Sequence, residues 1–333
     1  MRAGVVERYG PASVVRVVSM DDPVARRGEA VVRVMATSVN SGDARIRGAR
    51  FPPGFALPGR LALGLRGPRA KVLGVVFAGV IESGVLEPGG SGSGGGLALG
   101  DRVCGMTGAR MGAHAELVAV PTSRMVRLRD SLSFDDAAGV LFGGTTALYF
   151  LRDRAALRAG ERVLVVGASG AVGTNAVQLA KHLGATVTAV TSGANSELVT
   201  GLGADRVIDY SAVPIGTLAA RGERFDVVFD TVGALTAKTG RPLLTQGGRL
   251  LLAAAGLGEM ITARGPVRTG TAPQRTDDFR TLLDLVDSGV LRVVLDGALP
   301  LDRLAQAHAR VDSGRKIGNL VLHPQDDVER VFR

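Results

Sequence analysis

The eleven residues Val163 to Gly173, VLVVGASGAVG, set an apolar run against a glycine break and then open into a helical pattern. A turn of this kind suits one piece of chemistry, the capture of a dinucleotide diphosphate. The N–H groups at a helix start have no partner inside the helix and attract an anion. Gly170 would let the backbone approach the phosphates, and Gly173 would let the helix lie close on the strand. Ala168, Ser169, Ala171 and Val172 complete the expected cofactor turn. A glycine turn with a purely structural role is the competing reading. Context favours the first: AVQLAKHLGA follows with Val177, Leu179, Ala180 and Leu183 at helical spacing and Gly184 as a stop, and Thr186 to Val190 supplies a second strand.

The end of that second strand bears on which dinucleotide is held. An acidic residue about 20 positions past the glycines binds the ribose diol of NADH, whereas this chain has Thr191, Ser192, Gly193, Ala194 and Asn195. A carboxylate about 4 Å from a 2′-phosphate would cost on the order of 4 kcal/mol per charge pair at intermediate dielectric, so its absence permits NADPH. Further along, Val232 and Gly233 end the segment DTVG. A bare position there would let the nicotinamide ribose come close, although a plain strand-end turn would use the same glycine.

Other chemistry finds less material. Cys104 is the one cysteine of the chain, which excludes an intramolecular disulfide and a four-cysteine zinc site. His114, His182, His308 and His323 show no ligand spacing among themselves or with Cys104, so no metal is expected. The net charge of +9 comes from 40 basic residues, four of them lysine, scattered without a block. With aromatics at 4% there is no basic, aromatic stripe for nucleic acid, and the charge favours anionic ligands in general. No window approaches about 18 apolar residues free of charge or breakers, and MRAGVVERYG lacks an apolar signal core. Neither nucleic acid nor membrane is therefore expected as a partner, and the expected location is the cytoplasm.

These residues need a frame to position them. A chain of 333 residues at 46% hydrophobic can bury a large core, and its length suits two domains. Up to about Pro121, valine runs such as AVVRVMATSV, KVLGVVFAGVIESG and AELVAV are punctuated by glycine and proline, the pattern of short strands. From about Ser133, strands alternate with amphipathic helices, which predicts a parallel sheet covered on both faces. VLVVG, TVTAV, RVID, FDVVFD, RLLLAA and LRVVL are its six expected strands. Leu301 to Asp312 reads as a helix, and NLVLH as a strand that rejoins the first domain. The tract PGGSGSGGGLAL between Glu87 and Gly100 has too little apolar surface to order itself; it reads as an inert insertion, with a substrate lid as the alternative.

Taken in order, the segments SVNSGDARIRG, GVVFAGVIESG, LALGDRVCGM, GAHAELVAV, GGTTALYFL, AGERVLVVGASGAVGTNAVQLAKHLGA, LGADRVIDY, FDVVFDTVG, GGRLLLAA and AQAHARVDSGRKIGNLVL resemble the zinc-independent medium-chain dehydrogenase/reductases, in particular their quinone oxidoreductase and enoyl reductase branch. The likeness runs over nearly the whole chain. It implies an α/β fold in which a Rossmann doubly wound parallel sheet, residues 122–297, is inserted into a GroES-like β-barrel domain made of residues 1–121 and 298–333. It also implies an active site in the cleft between them, NADPH as hydride donor, and a homodimer formed along the last strand of the parallel sheet.

The resemblance further nominates individual residues. Asn40 matches an asparagine that lies near the nicotinamide and can donate an N–H to a ligand oxygen, and Thr146 matches a threonine at the start of a helix that packs against the cofactor. These two are the catalytic candidates. Without the resemblance Asn40 reads as a turn residue and Thr146 as a helix N-terminal hydroxyl. Tyr210, in RVIDY, matches a family tyrosine and joins Ser192 and Asn195 as donors to the cofactor, Asn195 standing where relatives carry a lysine. Asp43 and Arg47 are spaced for a local ion pair. Phe51 stands where many enoyl reductases have a tyrosine proposed as proton donor, and Val76 where relatives usually carry an acid. His114 replaces a family aromatic, and a packing role is favoured for it over a general acid. Phe51, Phe55 and Phe142 suggest an apolar substrate, with Phe51 and Phe142 on the pocket wall. The expected function is NADPH-dependent hydride transfer to a small molecule, a quinone or an α,β-unsaturated carbonyl. Two rivals stand beside it: a dinucleotide-binding protein without turnover, and a biosynthetic enzyme on the same scaffold with a non-reductive net reaction.

Overall fold

Short strands rich in valine pair antiparallel when each has one face to bury and a tight turn to reverse it. The computed structural model describes residues 1–51, 53–84 and 96–325, and its first part follows that rule. Strands β1 (Arg2–Val5) and β2 (Arg16–Ser19) form a two-stranded ribbon. β3 (Glu29–Ser38), β4 (Val76–Gly84), β5 (Arg102–Met106), β6 (Leu117–Pro121) and β7 (Met125–Arg127) pair antiparallel, β3 serving both β4 and β6. Two short helices, α1 (Ser41–Arg47) and α2 (Ala56–Leu63), lie between β3 and β4. The glycine-rich tract from Glu87 falls mainly on residues 85–95, outside the described residues.

Helix α3 (Phe134–Leu148) then leads to β8 (Arg162–Val166), α4 (Ala171–His182), β9 (Thr186–Thr191), α5 (Ser196–Gly201), β10 (Arg206–Asp209), β11 (Phe225–Asp230), α6 (Ala237–Gly240), β12 (Leu244–Leu252), α7 (Leu257–Thr262), β13 (Val267–Thr269) and α8 (Thr276–Asp287). The six strands form one parallel sheet in the order β10-β9-β8-β11-β12-β13. Strand direction of travel reverses between β8 and β11, and such a switch point leaves a crevice beyond the carboxyl ends of the strands. Register makes that crevice level: Val166 pairs with both Val190 and Asp230.

The chain returns through β14 (Leu295–Pro300), α9 (Leu304–Asp312) and β15 (Asn319–His323). β15 pairs with β3 and β14 with β15, so the C-terminal segment completes the sheet begun at β3. The architecture is the expected one, a doubly wound parallel sheet inserted into a β domain. One strand differs. LRVVL, 291–295, is not the sixth parallel strand; Val267–Thr269 takes that place. Val293 and Leu295 instead pack onto Gly139 of α3.

Helix α3 is the mechanical link between the two sheets. Its core cluster joins Val76, Ala78 and Cys104 of the antiparallel side to Val163, Val165 and Val227 of the parallel side through Ala137, Val140 and Leu141. Ser133 caps its start by accepting from Asp136 N at 3.0 Å. Among the described residues, no helix is long and apolar enough to cross a membrane.

Candidate cofactor and substrate site

At the carboxyl end of β8 the backbone turns at Gly167, φ +81°, and α4 begins with Gly170 as its N-cap. Gly173 lies against this turn so closely that a Cβ there would stand 2.1 Å from the Gly167 carbonyl oxygen and 2.7 Å from Ala168 Cα. A Cβ on Gly170 would meet nothing nearer than that same oxygen at 3.5 Å, so the helix N-terminus is bare on its open side. Ala168 is buried and its N–H donates to Val190 O, while Ala171 and Val172 are half-buried. This is a cradle whose free N–H groups suit an anion.

Hydroxyl and amide groups from β9 and the following turn converge on the same place. Thr191 Oγ1 donates to Ser169 Oγ at 2.9 Å, and Asn195 Nδ2 donates to Ser169 Oγ at 3.1 Å and to Ser192 Oγ at 3.2 Å. Tyr210 is 53% exposed beside them, its N–H donating to Thr191 O. One carboxylate also stands near: a Cβ on Gly193 would lie 2.6 Å from Asp209 Oδ2. Hydrogen bonds from the Ser211 side chain and backbone hold the Asp209 carboxyl below its usual range.

Across the switch point, the buried Asp230 ends β11 and organises the next turn. Its Oδ1 accepts from Val232 N at 3.0 Å and Gly233 N at 2.9 Å, and its Oδ2 accepts from Leu235 N at 2.7 Å. Gly233 sits at φ +85°, a conformation that favours glycine, and Val232 packs over Gly167. Sequence reading singled out Val232 and Gly233 but missed Asp230; the signal was the acid two residues before the turn in DTVG. It also missed the segment before β15. Gly318 N donates to Ser169 O at 2.8 Å and Gly318 bridges Gly170, so the C-terminal part of the chain closes over the turn between β8 and α4.

On the substrate side, Asn40 is buried as the N-cap of α1, its N–H donating to Asp43 Oδ2 at 2.8 Å and its Nδ2 to Ser38 Oγ at 3.2 Å. Asp43 does not pair with Arg47. Its other oxygen accepts from Gly74 N at 3.3 Å, whereas Arg47 reaches Gly10 O and Asp312, tying α1 to α9. The local spacing allowed a pair, but the carboxylate takes backbone donors, Asn40 N in its own turn and Gly74 N from a distant segment. Thr146 is a second correction. It lies near the end of α3, not at a helix start, and its hydroxyl donates back to Phe142 O at 2.9 Å. Gly143, in the same stretch, brings α3 onto Ala171 at the start of α4, where a Cβ would be 2.1 Å from Ala171 O. Phe51 is half-buried with its ring against Gly59 of α2, and Phe142 packs on the edge of the α3 cluster.

Under Asn40 lies a buried polar layer. His114 Nε2 lies 3.3 Å from Ser38 O and its ring meets His308 edge-on, centroids 5.8 Å apart. Burial above all, with His114 and Arg47 nearby, pulls the His308 pKa down to about 2. The unfolded chain therefore takes up a proton near pH 6.5 that the folded chain refuses, so this contribution to stability is whole above pH 6.5 and is lost as pH falls from there toward about 2. The slope approaches 1.4 kcal/mol per pH unit, or about 2 kcal/mol by pH 5. Burial pushes the Asp43 carboxyl upward, which works in the opposite direction. Urea unfolding of the protein and of His308→Leu across this range isolates the effect: the wild-type stability is expected to fall more steeply, and parallel curves would remove the assignment.

Cys104 is buried in β5 opposite Ala78, and burial pushes its thiol up to about 12, which leaves it inert. Among the described residues no group of three or more His, Cys, Asp or Glu side chains could hold a metal ion.

Comparison with known proteins agrees with this frame. Residues 202–322 match a family model described as zinc-binding dehydrogenase. A quinone oxidoreductase of Pseudomonas aeruginosa is 30% identical over 247 residues, covering 68% of this chain and 75% of that protein. An NADPH-dependent alkenal/one oxidoreductase of Arabidopsis thaliana chloroplasts is 27% identical over 97% of this chain and 80% of its own length. A polyketide synthase of Streptomyces halstedii is 34% identical over 68% of this chain, which spans 4% of that protein. Among solved structures, the quinone oxidoreductase of Coxiella burnetii superposes with a TM-score of 0.84 at 26% identity, covering 98% of this chain and 99% of that one.

Proposed function

Because the chain belongs to the medium-chain dehydrogenase/reductase superfamily, in its quinone oxidoreductase and enoyl reductase branch, we propose that it is a zinc-independent NADPH-dependent reductase of quinones or α,β-unsaturated carbonyls. The observation that carries this reading is the bare cradle at Gly170 and Gly173, set at the switch point of the sheet and packed beside the α3 helix. When bound, NADPH supplies the hydride. In this reading the chain's residues do the rest. The turn from Ala168 to Gly173 takes the diphosphate on backbone N–H groups, Ser192, Asn195 and Tyr210 face the 2′-phosphate, and Thr191 holds Ser169 in place. Asp230 fixes the turn so that Val232 and the bare Gly233 border the nicotinamide ribose. Residues 1–121 with 298–333 form the substrate side and 122–297 the cofactor side.

Asn40, through an N–H turned from Ser38, and Thr146 are the groups we assign to substrate and cofactor orientation, with Phe51 and Phe142 excluding water. Phe51 has no proton to give. A quinone fits this best, since its reduced oxygens take protons from solvent after hydride addition; an enone would need water or another acid at its α-carbon. We further propose that the protein is cytoplasmic and forms a homodimer through the open edge of β13.

The test is steady NADPH oxidation with a panel of quinones and enones, quinones expected to turn over faster. Tight NADPH binding without turnover on any of them would favour the non-catalytic rival. The cofactor preference has its own test. With Asn195 in place of a lysine and the Asp209 carboxylate nearby, selectivity for the phosphorylated nucleotide is expected to be moderate. Asn195→Lys is expected to tighten NADPH about tenfold, the equivalent of roughly 1.4 kcal/mol, and leave NADH unchanged. Equal Kd changes for both nucleotides would place Asn195 away from the 2′-phosphate.

A further inference from the structure

We propose that the lip of the cleft formed by α2 and α7 docks on an anionic lipid surface, from which an apolar substrate enters the site. Helix α2 contains no buried residue; Leu57 is 67% exposed, Leu61 56%, and Leu65 just beyond it 64%. From the other domain, α7 adds Ile261 at 70% exposure. The two lips touch: Leu257 N donates to Pro53 O at 2.8 Å, and the ring of Phe51 packs beneath Gly59 of α2. Since α7 follows the carboxyl end of β12, the patch adjoins the crevice at the switch point.

Charge identifies the occupant. Between Asp43 and Glu82 the sequence has no acidic residue and seven basic ones. Arg60 rests over the Tyr9 ring and Arg69 donates to the carbonyls of Leu61 and Ala62; these exposed cations, with Arg66, frame the leucines, and among the described residues no acid pairs with any of the three. A second copy of this chain would set the arginines against themselves across a two-fold contact. A protein partner binds best where pockets receive its anchor side chains, and α2 is a ridge. Exposed leucines one turn apart, flanked by arginine, are instead the chemistry of an interfacial segment on an anionic bilayer. The absence of a long apolar run, which argued against a membrane partner, concerns spanning segments only. The proposal uses the reading above for the apolar substrate alone, and its readout is independent of turnover.

Flotation of the full chain with vesicles of phosphatidylcholine and phosphatidylglycerol, against phosphatidylcholine alone, is the experiment. Binding is expected to the mixed vesicles only, to weaken as salt is raised, and to fall about fivefold for each of Arg60→Gln and Arg66→Gln. Leu57→Ser/Leu61→Ser is expected to lose it while keeping the wild-type melting temperature and NADPH affinity. No flotation with the mixed vesicles, flotation unaffected by these variants, or a concentration-dependent dimer in sedimentation that the leucine variant abolishes would each overturn the proposal.

Discussion

Gly173→Val is expected to leave no measurable NADPH binding, a loss of at least about a hundredfold. The first atom of any side chain there would lie 2.1 Å from Gly167 O, and that oxygen belongs to the turn itself. Relief requires α4 to move off β8, which carries the helix N-terminus away from the diphosphate. The variant should fold with a deficit of about 1–3 kcal/mol, typical of an overpacked contact. Thermal unfolding with and without nucleotide separates the two effects. At a ligand concentration about a hundred times Kd the wild type gains about 2.7 kcal/mol, and the variant is expected to gain nothing. Gly170→Ala is the contrast, since its Cβ has room: wild-type melting with weakened NADPH binding is expected, and unchanged binding would mean that the phosphates do not approach there.

Asp230→Ala should cost more stability than any other change at the site. It strands the N–H groups of Val232, Gly233 and Leu235; the buried Leu235 donor costs about 1–3 kcal/mol, and the two part-buried donors, which water can reach, about 0.5–1.5 kcal/mol each, so the total reaches at least about 2 kcal/mol. Because the carboxylate fixes the turn proposed to border the nicotinamide ribose, weaker NADPH binding is expected as well. Asp230→Asn keeps one acceptor oxygen and should fall between, with partial recovery of both stability and cofactor Kd. If the asparagine variant recovers stability but binds NADPH no better than alanine, the residue acts through charge and not through turn geometry.

Much of this is legible in the sequence. Strand, turn and helix at 163–183 follow from local rules: apolar run, glycine, helical spacing, glycine stop. The failures share one cause, tertiary partners that local spacing does not encode. Val293 and Leu295 looked like part of the sixth parallel strand because they are apolar and branched, but α3 offers Gly139 as a slot for them, Leu295 starts β14 of the other sheet, and the parallel sheet's edge is filled by the three residues of β13. Asp43 and Arg47 had the spacing of a pair, yet Gly74 and Asp312, both remote in sequence, took them. Resemblance matches Thr146 to a threonine at a helix start, but Gly143 and Gly144 before it do not interrupt the helix. Those glycines lie within α3, where they admit Ala171 and Leu282. The Gly318 contact was invisible for the same reason, whereas Asp230, whose donors lie two to five residues further on, carried a local signal in DTVG.

The most direct test of the account is a calorimetric titration of the purified chain with NADPH and, separately, with NADH. One site per chain for NADPH, tighter than for NADH and lost in Gly173→Val, is the expected result. Absence of heat with either nucleotide, for a protein that unfolds cooperatively and is therefore folded, would contradict the reading of the cradle and of the chemistry built on it.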